Sequence, residues 1–583
     1  MGKKLFLTLL IPAVLVLGGY LYLRFNLHSD IKKEEKIDLP TPPLKDSLGH
    51  EKLSTADLRP LLIKRLQQLL KKASNGLYDL SVYDLKTDIL SSRLLLQDIL
   101  LKPNPHILDS LQKAGLMDGD YFQVSAKSLE IEGINFDDVV TSKTMDYKLV
   151  KLVHPVIIIH HKESHKKETA EREDFSQRFL TEMQKLDIKK LLVEDGTIIL
   201  RNGNKHQSDS LNKVDVVMRN ILLDSATRKD KQRFLFAKNA SITFHDYHTK
   251  TDDGIYHLKI GEGTVHIPDQ QVSLCNLSFT SPLSKEQFEK RQKVRSELYH
   301  LNLPSITVDK VDWWSLFNRE KLVADEIRVK QGKFSIYLDR SLPPGDRMGH
   351  FPNQLLMNLP IQMDVKRIKV RDMDVSYTEF NPSSKESGTI YLDGIRMEVA
   401  HITNSRSNGK YPLTVNGTSR FMHRIPIHAD FSFSWKDYNQ GVFSANIGCE
   451  KEFEDTLFNS FAMPLGLVRL DKGILQDLEA HIKGDQWRAN GDVLVLYKDL
   501  KLSVLEKDKG KASLDKKDVT SFIANTLVLK KDNPKESKEP RKEKATFRRM
   551  PEAGFIMLVW KTILVGTLKT IGAPEKKAYP KGE

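Results

Sequence analysis

Chemistry in this chain of 583 residues would begin at its histidines, which come nearest to forming a cluster. His154, His160, His161 and His165 lie within HPVIIIHHKESHKK. Imidazoles gathered in this way can ligate zinc, which takes nitrogen, sulfur or carboxylate donors in a tetrahedral shell. No carboxylates or cysteines stand at matching ligand spacing, and Val156 to Ile159 reads as a strand whose polar exit carries the later histidines. His245, Asp246, Tyr247 and His248 are closer together but lead into the polar stretch 249–254, the composition of a solvated turn. Two cysteines, Cys275 and Cys449, exclude a disulfide-dense scaffold and a multi-cysteine zinc site. Gly261-Glu262-Gly263 lacks the rest of a phosphate-binding loop, and no Gly-x-Ser-x-Gly elbow occurs. Trp313-Trp314 marks a helix end with no assignable ligand. The sequence therefore predicts neither an enzyme nor a metal or cofactor protein.

With no reactive cluster to position, the dominant pattern is a repeated one. Its clearest copies are 323–338 (VADEIRVKQGKFSIYL) and 365–380 (VKRIKVRDMDVSYTEF). In each, an alternating apolar run (Ile327 and Val329; Ile368 and Val370) meets a turn signal (Gln331-Gly332; Asp372-Met373-Asp374). A second run follows (Phe334, Ile336 and Leu338; Val375 and Tyr377). A third copy places Leu191 and Val193 before Asp195-Gly196 and Ile198 and Leu200 after it. Period-two alternation sets these side chains on one face of a strand, so each copy reads as a hairpin with one apolar face. Such a face cannot be buried within one hairpin, and neighbouring copies must stack to prolong it. Strand signals continue from 77 to about 529, including 214–223, 263–279 and 389–399. Amphipathic helices interrupt them around Phe175 to Leu186 and from Ser284 to His300.

Charged residues make up 29% of the chain and apolar ones 40%, enough for a core, while the mean hydropathy of −0.40 describes a water-facing protein. The formal charge of +13 permits anionic partners. Its positives are not interleaved with aromatic residues as single-strand nucleic-acid binders require, so no nucleic-acid partner is expected. Leu5 to Leu23 is an uncharged apolar run of 19 residues, close to the roughly 20 that cross a hydrocarbon core. Lys3 and Lys4 precede it and no small-residue cleavage site follows. The expectation is an uncleaved anchor in the inner membrane, amino terminus cytoplasmic and bulk periplasmic.

The predicted organisation is a transmembrane anchor (1–25), a linker (26–54) and a helix capping the first sheet edge (55–75). The β repeats then occupy 76–529, a basic flexible linker 530–550, an amphipathic helix 551–572 and a disordered tail 573–583. On the last helix Ile556, Trp560, Ile563, Leu564, Leu568 and Ile571 share one side. That side is expected on a membrane surface, with packing over the open end of the sheet as the other reading.

The block 464–505 carries Leu470, Gly473 and Leu475, then Gly491 and Tyr497-Lys498-Asp499-Leu500. Together with the single amino-terminal apolar segment and the strand repeats, it resembles the AsmA-like proteins of Gram-negative envelopes. The ending, with Trp560-Lys561-Thr562, Gly566 and Ile571, is similar to the branch found in Bacteroidetes-type bacteria. The resemblance implies a mainly β protein: an elongated, curved, repeat-built sheet forming an apolar groove, with a few helices. It also implies movement of phospholipid between membranes, or a role in outer-membrane assembly. Under the first reading Leu191, Val193, Ile198, Leu200, Ile327, Val329, Phe334, Ile336, Leu338, Ile368, Val370, Val375 and Tyr377 line the groove and shield acyl chains. Phospholipid and the inner membrane are then the partners, with a second membrane surface or an outer-membrane protein at the carboxy-terminal helix. Under the second, the sheet is a non-enzymatic scaffold that offers an edge to client strands.

Overall fold

The computed structural model describes residues 63–574, apart from 115–120, 136–143, 162–183, 203–207, 508–513, 519–529 and scattered positions between them. The apolar run 5–23, the linker 26–54, the tail 575–583 and nearly all of the helix expected around Phe175 to Leu186 lie outside these residues. The described chain is mainly β and forms two compact units. The first holds 63–249 and 262–270; the second holds 250–261 and 271–574.

In the first unit, β1 (Tyr78–Asp88), β2 (Arg93–Pro103) and β3 (Tyr121–Glu132) pair antiparallel in sequence order. Then β3 pairs antiparallel with both β4 (Thr144–Val153) and β5 (Val156–His161), which run parallel to successive halves of β6 (Lys185–Asn202). Next, β6 pairs with β7 (Ser208–Leu223) and β7 with β8 (Ala237–Lys250), both antiparallel. Asn104 caps the short helix α1 (Pro105–Lys113), its side chain accepting the His106 and Ile107 amides. Of the expected capping helix, Ile63 packs beside Leu85, Leu94 and Leu96, and Leu70 beside Leu77, Tyr78 and Phe122.

After β9 (His257–His266), the second unit runs through β10 (Gln271–Thr280), β11 (Glu297–Asp309) and β12 (Lys321–Asp339). It continues with β13 (Gln362–Asn381), β14 (Glu386–Thr403), β15 (Leu413–Phe421), β16 (Ile425–Phe433) and β17 (Phe443–Cys449). The last strands are β18 (Phe453–Glu454), β19 (Val468–Gly484), β20 (Arg488–Lys507), β21 (Leu514–Asp518) and β22 (Lys542–Arg548). Among the described residues these strands pair antiparallel except β12 with β13. Among the described residues five α-helices interleave: α2 (Lys285–Glu289), α3 (Trp313–Arg319), α4 (Pro352–Met357), α5 (Asn459–Gly466) and α6 (Phe555–Ile571).

Three expectations are corrected. The repeated unit is not a hairpin: β6, β12 and β13 each run straight through the residues read as turns. Asp195, Gln331 and Asp372 take φ of 51°, 53° and 57°. One left-handed residue inside a strand makes a bulge, which bends the chain without reversing it. The bulge also explains why the apolar positions change parity, from Ile327 and Val329 to Phe334, Ile336 and Leu338. The copies on β12 and β13 lie side by side and parallel, with Ile327 beside Ile368 and Phe334 beside Val375. The same 41-residue offset sets Leu152 beside Val193 and Ile157 beside Ile198, so β4 and β5, bent at His154 (φ 47°), are a further copy.

Secondly, the charged helix expected from Ser284 to His300 is only α2, and Glu297 to His300 opens β11. The stretch 290–296 offers a helix nothing apolar to bury but Val294, which is 41% exposed. Thirdly, the basic linker is folded. Within it β22 pairs with β20, turning Ala545 and Phe547 inward, and Asn533 is fully buried, donating to the Val495 and Arg541 carbonyls.

Candidate functional site

Directly opposed residues of paired strands point to the same side of a sheet, so the registers trace rows of side chains across many strands. In the second unit one row reads Val272, Val308, Ile327, Ile368, Val399, Val415 and Phe431, and continues as Ala445, Ile482, Gly491 and Ala545. A second reads Leu274, Ile306, Val329, Val370, Met397, Gly417, Ala429, Ile447, Ala480 and Val493. Shifted by one residue, the opposite face reads Arg328, Lys369, Glu398, Asn416, Asp430, Asn446, His481, Asp492 and Lys544. Along that face Asn416 donates to Asp430 at 2.9 Å, and His481 meets Asn446 at 2.9 Å. The first unit repeats the plan on its own strands, with Leu85, Leu96, Leu129, Leu152, Val193, Val216 and Ile242 in one row.

The apolar rows of the second unit are covered unevenly. Beneath α6 they are buried, as at Ala445, Ala480, Ile482 and Val493. Small residues permit this contact: a methyl at Gly566 would lie 2.5 Å from Val493 Cβ, and Phe555 wedges among Phe351, Phe431, Phe433 and Phe443 with centroids 4.9–5.7 Å away. Between β11 and β16 the same row is only half-buried, at Val308, Ile327, Ile368, Val399, Val415 and Phe431. The helix α5 meets this region near strand ends, where Asn381 donates to the Pro464 carbonyl at 2.9 Å and Gly388 abuts Phe461 and Leu465. A strip of apolar face stays open.

Toward one end of β11 to β13 the face changes character. The next rows hold Tyr299, Ile336 and Tyr377, then Glu297, Leu338 and Glu379. Aromatic rings lead to this border, with Tyr256 stacked on Phe279 at 4.6 Å and Tyr299 on Phe334 at 5.8 Å. Both carboxylates are fully engaged. Glu379 accepts from Arg340 at 3.1 Å through Oε1 and from the Tyr377 hydroxyl at 2.7 Å through Oε2. Glu297 is paired with Arg347 through Oε1 and accepts from the Tyr299 hydroxyl at 3.3 Å through Oε2. Burial, reinforced by the neighbouring carboxylates, raises both phenols well above the ordinary tyrosine range, so they remain donors at any physiological pH.

The expected groove residues fall into two sets, one in each unit. Leu191, Val193 and Ile198 lie on β6 with Leu200. In the second unit Ile327 lies beside Ile368, Val329 beside Val370, Phe334 beside Val375 and Ile336 beside Tyr377, while Leu338 neighbours Glu379. The membrane-surface residues do not stay together: Ile563 and Ile571 are buried against the sheet, Leu564 and Leu568 are half-buried, and Ile556 and Trp560 are 67% and 45% exposed. The helix is apolar nearly all round, and the sheet takes the side that carries Thr562 and Gly566. Unread in the sequence were Glu297, Tyr299, Arg340, Arg347 and Glu379, although Glu379 and Arg340 continue the in-phase runs 375, 377 and 336, 338.

Among the described residues the histidines have separate partners. His154 pairs with Asp195 at 2.8 Å across the bulge, His160 stacks on Tyr121 at 4.5 Å, and His245 lies 4.0 Å from Glu262. Among the described residues no group of three His, Cys, Asp or Glu could hold a metal, and no helix is long and apolar enough to cross a membrane. The Cys449 thiol is buried and its pKa pushed up to about 11 by desolvation. No protein-family model matches the sequence, and no curated protein matches it.

Proposed function

We propose that this chain is an AsmA-like envelope protein that shields lipid acyl chains on its apolar sheet face and helps move phospholipid between membranes. The observation that carries the reading is the half-buried apolar row from Val308 to Phe431, backed by a polar face on the same strands. Apolar surface left in water costs about 25 cal/mol per Å², and lipid chains are a ligand that removes this cost without directional bonding. No catalytic group is needed, since the lipid is carried and not altered. The segment 5–23 is the proposed inner-membrane anchor, and the β body is proposed to lie in the periplasm. The exposed Ile556, Met557 and Trp560 are a second point of contact, with another membrane surface or an outer-membrane protein.

The test is a photo-crosslinking residue placed in cells at Val399 or Ile368 on the apolar face and at Glu398 or Lys369 on the polar one. Phospholipid adducts from the first pair alone are expected. Protein adducts from the apolar pair, without lipid, would replace this reading with the client-strand scaffold.

A further inference from the structure

The segment 341–350, a strap between β12 and α4, crosses the margin of the sheet where the apolar rows give way to Glu297 and Glu379. Its ends are fixed. Arg340 donates to Glu379 and to the Phe380 carbonyl, both at 3.1 Å, and the fully buried Phe351 packs on Phe555 with ring centroids 5.1 Å apart. Between these ends the strap is tied on two sides. Toward β11, Arg295 donates its amide to the Pro343 carbonyl at 2.8 Å and its Nε to the Leu342 carbonyl at 2.7 Å, while the Arg347 guanidinium pairs with Glu297. Beyond β22, the Arg347 amide donates to the Pro551 carbonyl at 2.8 Å, and Arg549 donates to the Arg347 carbonyl at 2.7 Å and to the Met348 sulfur at 3.1 Å. In the pairing order β11 and β22 are separated by β12 to β17, β19 and β20. Arg347 thus bridges the apolar face at this margin.

The bridge is held without apolar packing. No residue from 341 to 350 is buried, and a segment with few buried apolar contacts opens locally at low cost. Gly349, at φ 74° and with nothing within 4 Å of where a Cβ would stand, supplies a hinge two residues from Phe351. Opening strands no carboxylate: Glu297 keeps the Tyr299 hydroxyl at 3.3 Å, and the freed guanidinium and backbone groups meet water. A permanent tie is ordinarily built by burying apolar side chains, whereas this one consists of bonds that water can replace. We propose that 341–350 is a lid latched by Arg347 on Glu297, and that lipid chains reach the half-buried row from Val308 to Phe431 when it lifts. The inference rests on the lipid reading above and adds the route of entry.

The lid can be locked and loosened. A Cβ at Gly345 would lie 3.4 Å from the Val294 Cβ, near the separation a disulfide spans, and Val294 is 41% exposed. Val294→Cys with Gly345→Cys locks the strap reversibly, and Glu297→Gln releases its latch. The experiment follows uptake of pyrene-labelled phosphatidylglycerol from mixed micelles by the full chain in mild detergent, with hydrogen exchange over 341–350 reporting the strap itself. Uptake in Glu297→Gln should be about tenfold faster than in wild type, the population change one charge-assisted hydrogen bond carries, with faster exchange in the strap and the same final lipid ratio. Uptake by the oxidised cysteine pair should nearly stop and recover on reduction, while oxidant leaves wild type unchanged. Uptake indifferent to the lock overturns the lid and leaves the acyl reading intact. A lock that stops uptake, with Glu297→Gln unchanged in both rate and exchange, overturns the Arg347–Glu297 latch. No uptake by any of these proteins, although exchange shows the strap open in Glu297→Gln, overturns the lid and the acyl reading together.

Discussion

Asp224 shows how single side chains close the loops between these strands. Its Oδ1 accepts the Ala226 amide at 2.9 Å, the Thr227 amide at 2.7 Å and the Thr227 hydroxyl at 2.9 Å. The Thr227 amide contributes most to holding this carboxyl below the ordinary aspartate range. A depressed carboxylate stabilises the fold above its unfolded pKa, and that contribution is lost as pH falls through the folded value. Asp224→Ala should therefore be less stable than wild type at neutral pH by about 1 kcal/mol, a low figure because solvent screens the group. The difference should vanish in acid below the folded pKa, and urea midpoints across that range check it. An acid-independent difference would mean that lost packing dominates. At this scale the sequence was least legible. Glu297 and Glu379 look like ordinary strand-end charges until the fold brings each an arginine from elsewhere in the chain, beside a tyrosine two residues away on its own strand.

The strands were legible in one respect and misleading in another. Alternation correctly assigned Ile327, Val329, Phe334 and Ile336 to strand, because period two is a local property. The bulges read as turns because the same residues, Asp-Gly, Gln-Gly and the Asp pair flanking Met373, serve both, and what separates them is the pairing strand 41 residues away. The copy at β4 and β5 escaped notice because His154-Pro155 stands where Asp195-Gly196 does in its partner. Similarly, β22 was hidden by its polar face, since Lys542, Lys544, Thr546 and Arg548 outnumber the inward Ala545 and Phe547. Asp372 offers the direct test of the bulge. At φ 57°, Asp372→Gly should be neutral to within the small value of its exposed pairing with Arg396, at 3.5 Å. Asp372→Val should cost about 1–2 kcal/mol, as a β-branched residue is forced into the left-handed region. Equal midpoints for the two variants would argue against a left-handed residue at this point.

For the molecule as a whole, the central claim is that one sheet face is a lipid-shielding surface. Composition and repetition foreshadowed a β body, but the division into faces emerges only from registers linking residues as distant as Val272 and Ala545. The carboxy-terminal region belongs to that body. Removing everything beyond 529 would strip β22 and α6 from β20 and expose Val493, so the decisive measurement uses the full chain. It is mass spectrometry of the lipid extracted with the purified protein, for wild type, Ile336→Asp and Val370→Asp, with Lys369→Asp as the polar-face control. Phospholipid in a reproducible ratio to wild type and to Lys369→Asp, and absent from the two folded apolar-face variants, is the predicted result. Wild-type protein that is folded and free of phospholipid, or apolar-face variants that carry as much as wild type, would contradict it.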